Sequence, residues 1–258
     1  MARIRPLQFS IDGTAFRCSL NPWDSEIFGF PVALVERRSA VAAVQSDHFP
    51  APLSNWLAKH RVRVASCRLP CTLLRESMRL EEAGFRFIEV VLHPCMDRLQ
   101  QRRLNAGGLQ VREARGTVLA GIADMAAGAF GNERYHTDPR LDTALANARY
   151  AQWVLNSAKA AHTRVLGIFD DAELVAFFVC KDSAAGRVEW LLTAVAPTRQ
   201  GQGVGLRAWQ TMLAWHQSQG RETIVTTIAS RNVRVLNLYA KLGFRFLPPE
   251  MTFHWVAA

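Results

Sequence analysis

Three glycines in six residues, Gln200-Gly201-Gln202-Gly203-Val204-Gly205, follow the apolar run Thr193-Ala194-Val195 and precede a helical pattern. Without Cβ atoms at 201, 203 and 205 the backbone can approach a bulky anion with its N–H groups turned outward. A helix opening there adds the positive end of its dipole. The pattern predicts a phosphate loop. Two common phosphate loops do not fit: a Walker loop needs Gly-Lys-Ser/Thr, but Gly205 is followed by Leu206 and Arg207. The dinucleotide fingerprint spaces its glycines differently, and Glu222 alone does not restore it.

A second pattern places Tyr239. Asn232 stands where a helix cap would, and Val235, Leu238, Tyr239 and Leu242 recur at i, i+3, i+4 and i+7, on one face of a helix ended by Gly243. On an apolar face a tyrosine reads first as a core residue with its hydroxyl satisfied. Glu189 interrupts the apolar run 188–195. On a buried strand its pKa would rise, which suits a base; the alternative is a strand-end carboxylate reaching solvent beside Arg187. His136 and Asp138 lie in the loop 130–139, where a histidine is ordinarily structural or exposed.

The elements that must hold these residues are legible in outline. Residues 188–195 read as a central strand, apolar on both faces with Leu191 and Val195 against Trp190, Leu192 and Ala194, the last of an antiparallel meander with 164–169 and 173–181 turning at Asp170-Asp171 and at 183–186. The stripe Leu206, Trp209, Leu213 beside Val204, Ala208, Met212 marks a helix stopped by Gly220, and 223–229 reads as a strand. Upstream, 111–114 is expected as a strand, with helices over 117–129 and 143–160.

The N-terminal part opens on a hairpin over 7–18 turning at Asp12-Gly13, followed by an aromatic-bearing loop over 21–31. Helix 52–60, strand 62–69, helix 73–83 and strand 85–92 come next, and Glu82-Ala-Gly-Phe-Arg-Phe87 echoes Lys241-Leu-Gly-Phe-Arg-Phe246. The echo implies an internal duplication whose first copy lacks the glycine loop. The polar run before Gly107-Gly108 reads as a linker, giving a degenerate domain over 1–98, a linker over 99–108 and a complete domain over 109–258.

Composition narrows the classes. At 49% hydrophobic residues the chain can bury a full core, and no apolar run approaches the length of a membrane span. No targeting segment is evident at the N-terminus, so the cytoplasm is the expected compartment. Five scattered cysteines argue against a disulfide framework or a zinc site, and no metal is expected. The net charge of +9 is spread over the chain with no basic tail: 15 basic and 10 acidic groups before residue 106, 16 and 12 after. That distribution disfavours nucleic acid as a partner while favouring small anionic substrates.

Gln200-x-x-Gly203-x-Gly205 after a Val195-x-Pro197 strand end, followed in order by Asn232, Tyr239 and Gly243-Phe244, resembles the GNAT family of acetyl-coenzyme A-dependent N-acetyltransferases. Gln200 replaces the commoner arginine of that motif. The resemblance implies an α/β (α+β) fold, a mixed and mostly antiparallel sheet flanked by helices, preceded here by the smaller half-domain. It also implies acetyl-coenzyme A as cosubstrate, held by Thr193, Ala194 and Val195 along the pantetheine arm. Gln200, Gly201, Gln202, Gly203, Val204, Gly205 and Leu206 would lie at the pyrophosphate, with Asn232 as a further contact. Tyr239 would protonate the leaving thiolate, to which a phenol of pKa about 10 is well matched. Glu189 would accept the ammonium proton, and His136 and Asp138 would lie near the acceptor.

Trp23 to Gly29, Arg134-Tyr-His136 with Asp138, and Tyr150-Ala-Gln-Trp153 resemble the subgroup containing dTDP-fucosamine acetyltransferases. That implies a small-molecule amine on a nucleotide-linked amino sugar. A homodimer is among the partners this reading admits. Acetylation of a protein or peptide amine, or coenzyme A binding without turnover, are the alternatives.

Overall fold

The computed structural model describes residues 4–38, 49–183 and 186–257. They fold into two compact units, Met1–Val91 with Thr137–Leu145 and Pro248–Ala258, and Leu92–His136 with Ala146–Leu247. Neither unit is contiguous in sequence.

In the first unit β1 (Leu7–Ile11) and β2 (Thr14–Leu20) form the expected hairpin, with Asp12 and Gly13 at φ 46° and 82° between Ile11 and Thr14. Residues 21–31, expected as a loop, contain α1 (Pro22–Phe28). The signals were local: Asn21 caps the Asp24 amide, Pro22 needs no amide bond at the first position, and Gly29 closes the helix at φ 72°. β3 (Val32–Arg37), α2 (Ala51–Lys59), β4 (Val64–Pro70), α3 (Leu74–Glu82) and β5 (Arg86–Met96) follow.

The second unit is built by β6 (Gln110–Glu113), α4 (Gly116–Ala129), α5 (Arg134–Thr137), α6 (Thr143–Ser157), β7 (Thr163–Asp170), β8 (Glu173–Asp182) and β9 (Arg187–Val195). Of the turn expected at 183–186, Ala184 and Ala185 lie outside the described residues. α7 (Val204–Ser218), β10 (Thr223–Thr226), β11 (Ile228–Ala229), α8 (Val233–Lys241) and β12 (Arg245–Val256) complete the chain.

In the first unit the strands run β1-β2-β3-β4-β12, with β3 parallel to β4 and β12 antiparallel to it, Phe253 opposite Cys67. In the second they run β5-β10-β9-β8-β7-β6, antiparallel except for β10 beside β9. This is the mixed, mostly antiparallel sheet with flanking helices expected of the sequence. β12 carries Pro248-Pro249, which hides it from any strand pattern, and its remainder pairs with β4 by contacts far apart in sequence.

The run 99–108 packs rather than links. Leu99 is fully buried, Gln217 Nε2 donates to Leu99 O at 2.6 Å and to Arg102 O at 3.0 Å, and Thr211 Oγ1 donates to Ala106 O at 3.1 Å. A Cβ at Gly107 would lie 2.2 Å from Arg207 O, so glycine is required for this close approach to α7.

The internal echo is structural. α3 ends before Gly84 at φ 86° and α8 before Gly243 at φ 81°, and in each case the next residue's amide returns to the helix. Phe85 N donates to Leu80 O and Phe244 N to Tyr239 O, both at 3.0 Å. Leu80 therefore occupies in the first copy the place that Tyr239 occupies in the second, and both are fully buried.

Candidate active site

β9 and β10 run together only from Arg187↔Thr223 to Trp190↔Thr226. Thr226 Oγ1 donates to Trp190 O at 2.8 Å at the last paired position, and the chain then passes through Thr227 into β11, which pairs with β5. Beyond Trp190 one edge of β9 is therefore open. The other edge stays on β8 through Thr193↔Phe178, Ala194↔Phe177 and Val195↔Ala176. Ala196 N donates to Val175 O on the β8 side. By strand alternation, the backbone groups of Val195 and Thr193 face the open edge. Gln200 Nε2 donates to Val195 O there at 3.3 Å.

A register shift between Val179 and Cys180 sets a bulge in β9 around Leu191. Before it, Val188 and Trp190 pack with Trp209, Met212 and Tyr239 of α7 and α8; after it, Leu192 and Ala194 pack with Ile122, Tyr150 and Val154 of α4 and α6. The strict alternation expected for 188–195 is thus broken: Leu191 and Leu192 both pack on the α4/α6 side. The physical consequence is that Glu189 projects toward the α4/α6 side, while Thr193 projects toward α7 and α8, where Tyr239 sits. Glu189 is half-buried opposite Lys181, between the buried carboxylate and the solvent-reaching one that the sequence left as alternatives.

Gly203 caps α7 at φ 77° and Gly201 lies at φ 81°, and a Cβ on either would enter open space. Arg207 N is the first amide of α7 to meet a carbonyl, Gly203 O at 3.5 Å. Among the described residues the amides of Gly201 to Leu206 find no acceptor. Val204 is buried, and Gly205 brings the helix start to within 3.6 Å of Val195 Cγ2 for a Cβ placed there. These are the features a pyrophosphate needs: free amides, a helix N-terminus and no side chain over them. Asn232 caps α8, its Oδ1 accepting from Val235 N at 3.3 Å.

Tyr239 is fully buried among Trp209, Trp190 and Phe244. Among the described residues its hydroxyl has no partner at strict hydrogen-bond geometry, although Trp209, Thr193 and Thr226 lie around it. Burial pushes the phenol above its ordinary pKa, opposed by the polar groups of Trp209, Thr193 and Thr226. It is a protonated donor at neutral pH.

On the α4/α6 side, His136 Nε2 lies 2.7 Å from Asn147 Oδ1 and its ring stacks on Tyr150, which stacks in turn on Phe130 at 4.6 Å and on Trp153 at 6.1 Å. Asp138 belongs to the first unit and is fully committed. Its Oδ1 accepts from Arg140 N and Nε at 3.1 and 2.9 Å, and its Oδ2 from Arg140 Nη2 at 2.8 Å and His254 Nδ1 at 3.0 Å. Burial raises its pKa, but these bonds from His254 and Arg140 outweigh it and hold the carboxyl well below the usual range. No lone pair is left for an acceptor.

Sequence reading passed over a buried pair beside Tyr239. His216 on α7 accepts from Trp190 Nε1 at 3.0 Å and lies 3.8 Å from Cys180 Sγ. Burial raises the thiol pKa and pushes the imidazole down to about 3, the opposite of a thiolate–imidazolium nucleophile. The unfolded histidine binds a proton below about pH 6.5 and the folded one does not, so stability falls as pH drops from 6.5 toward 3, by about 1.4 kcal/mol per pH unit. Urea midpoints between pH 6 and 4.5 should show this slope in the wild type and lose it in His216→Gln. An unaltered slope in the variant would assign it elsewhere.

Residues 119–244 match the acetyltransferase (GNAT) family, a span containing the glycine loop, the open strand edge and Tyr239. No curated protein matches the chain. Among solved structures, a GCN5-related N-acetyltransferase from Sphaerobacter thermophilus is similar with a TM-score of 0.59 at 12% identity, over 94% of this chain and 76% of that one. A protein from Staphylococcus epidermidis described as functionally unknown gives 0.63 at 12% identity, over 100% and 96%. A tandem GNAT protein from the clavulanic acid biosynthesis pathway gives 0.54 at 13% identity, over 97% and 85%. At these identities the likeness is one of fold, and the tandem arrangement agrees with the duplicated helix–glycine–strand units. The family match over the loop and Tyr239 makes the chain an acyltransferase.

Proposed function

We propose that the GNAT acetyltransferase domain formed by residues 119–244 transfers an acetyl group from acetyl-coenzyme A to the primary amine of a nucleotide-linked amino sugar in the cytoplasm. The observation that carries the acetyl-coenzyme A part is the pairing of unanswered amides at Gly201 to Leu206 with the open edge of β9 beside them. The loop takes the pyrophosphate and Thr193 to Val195 take the amide-bearing arm as an added strand, with Gln200 held between Val195 O and Arg234 and with Asn232 fixing the start of α8. Acetyl-coenzyme A supplies an activated thioester. The chain supplies a proton donor on one side of β9, Tyr239, and a proton acceptor on the other, Glu189, so the amine approaches from the α4/α6 side.

That side carries the half-buried His136 and Trp153, both stacked on the buried Tyr150, aromatic rings suited to a sugar or a nucleobase. We keep His136 as the acceptor-side residue and assign Asp138 instead to the buried bonds with Arg140 and His254. The positive balance of the chain favours an acceptor that carries its own pyrophosphate.

Tyr239→Phe should leave acetyl-coenzyme A binding intact and lower kcat by about 1–3 kcal/mol of barrier, roughly 5- to 150-fold. Wild-type kcat in that variant would return Tyr239 to the core. Glu189→Gln should depress the rate at neutral pH and recover partly at higher pH, where free amine is abundant; equal loss at every pH would remove Glu189 from proton transfer. The acceptor is tested by following coenzyme A release with a dTDP-linked 4-amino-deoxysugar and a lysine peptide at equal concentration. Preference for the peptide overturns the sugar while leaving acetyl transfer standing.

A further inference from the structure

Trp209 Nε1 and Tyr239 Oη are both buried in the second unit's core, both lack a partner at hydrogen-bond geometry, and their rings stand perpendicular at 6.5 Å between centroids. Two unanswered polar atoms in one apolar cluster are costly unless they serve each other or a bound molecule. Apart from Thr193, whose hydroxyl can accept the phenolic hydrogen, the neighbouring polar groups are spoken for. Trp190 Nε1 donates to His216 at 3.0 Å, and Thr226 Oγ1 gives its hydrogen to Trp190 O at 2.8 Å, so Thr226 can accept from the phenol but cannot donate to a phenolate. The indole N–H of Trp209 has only a donor role and no other acceptor.

We infer that Trp209 is the positioning residue for Tyr239: its N–H points at the phenol oxygen, which turns the phenolic hydrogen toward Thr193 and the open edge of β9, and it then holds the phenolate once that proton has left. The inference rests on Tyr239 acting as the general acid. In the step concerned the Tyr239 O–H bond breaks, its proton forms an S–H bond on the departing coenzyme A thiolate, and the electron pair stays on Oη. Trp209 keeps its own proton throughout, and the phenolate is reprotonated through solvent by the proton the amine released. Burial penalises a bare phenolate, so a donor uncommitted elsewhere is what makes this transfer feasible.

The test is a double-mutant cycle with a spectroscopic check. Trp209→Phe keeps an aromatic ring and removes the donor; it should lower kcat about 10-fold with the KM for acetyl-coenzyme A within twofold. In the Tyr239→Phe background the same change should cost nothing further. An equal loss in both backgrounds overturns the inference while leaving Tyr239 as the acid; wild-type kcat in Tyr239→Phe removes the acid itself. The second measurement does not require Trp209 to be altered. Of the seven tryptophans, one indole N–H resonance should move and exchange faster in Tyr239→Phe, since phenylalanine keeps the ring but removes the oxygen. Seven unmoved indole resonances in the coenzyme A complex overturn the inference independently.

Discussion

Gly203→Asp should weaken binding of acetyl-coenzyme A by about 5- to 1,000-fold, measured by calorimetry, with the folded state retained. The new carboxylate enters the open space above the amides of α7, and a like charge about 4 Å from the pyrophosphate costs ~1–4 kcal/mol, depending on how much solvent remains. Gly203 sits at φ 77°, where a side chain costs about 1–2 kcal/mol of folding stability with or without ligand. Gly203→Asn carries that same strain without the charge, so it should keep most of the affinity. Unchanged affinity in the aspartate variant would remove the pyrophosphate from this loop.

Asp138→Ala should lower stability by about 3 kcal/mol, the order expected when one partner of a buried, hydrogen-bonded pair is removed and the other is left behind. For a chain of this size that is a fall of roughly 6–12 °C in the thermal midpoint. The sign with pH follows from the depressed carboxyl pKa: the stabilisation is present above the unfolded value, about 4, and is lost as pH falls below it. Wild type and variant should therefore converge on acidification. If the variant instead keeps its midpoint and raises KM for the acceptor, Asp138 contacts substrate and its bonds to Arg140 and His254 are incidental.

The phosphate loop and the tyrosine helix were legible because each is a local device. Gly201 and Gly203 adopt positive φ within a single turn, Asn232 caps Val235 three residues on, and the face shared by Val235, Leu238, Tyr239 and Leu242 follows from helical period alone. α1 was equally local, and its cap, proline and glycine were outweighed by the turn-forming composition of residues 21–31. The echo between Glu82–Phe87 and Lys241–Phe246 held because a left-handed glycine after a helix dictates the same return of the next amide in both copies.

Non-local pairing decided what the sequence could not. No pattern in Pro248 to Val256 announces an antiparallel partner at β4, nor does β5 announce that Cys95 and Met96 will meet β10, yet the first pairing brings the end of the chain into the first unit and the second ties residues 95–96 to the second. The bulge in β9 depends on how its register meets β8, and it alone puts Glu189 and Thr193 on opposite sides of the sheet. Asp138 stood in a loop of polar residues that suggested contact with a substrate. Only the fold brings His254, 116 residues away, to within 3.0 Å of it and turns a candidate ligand into half of a buried hydrogen-bonded pair. The amino-acid sequence by itself determined the chemistry on offer, since free amides and a phenol at a helix face need only neighbours along the chain. Which of those groups face one another was left to strand pairing, whose energy comes from contacts between residues far apart in sequence.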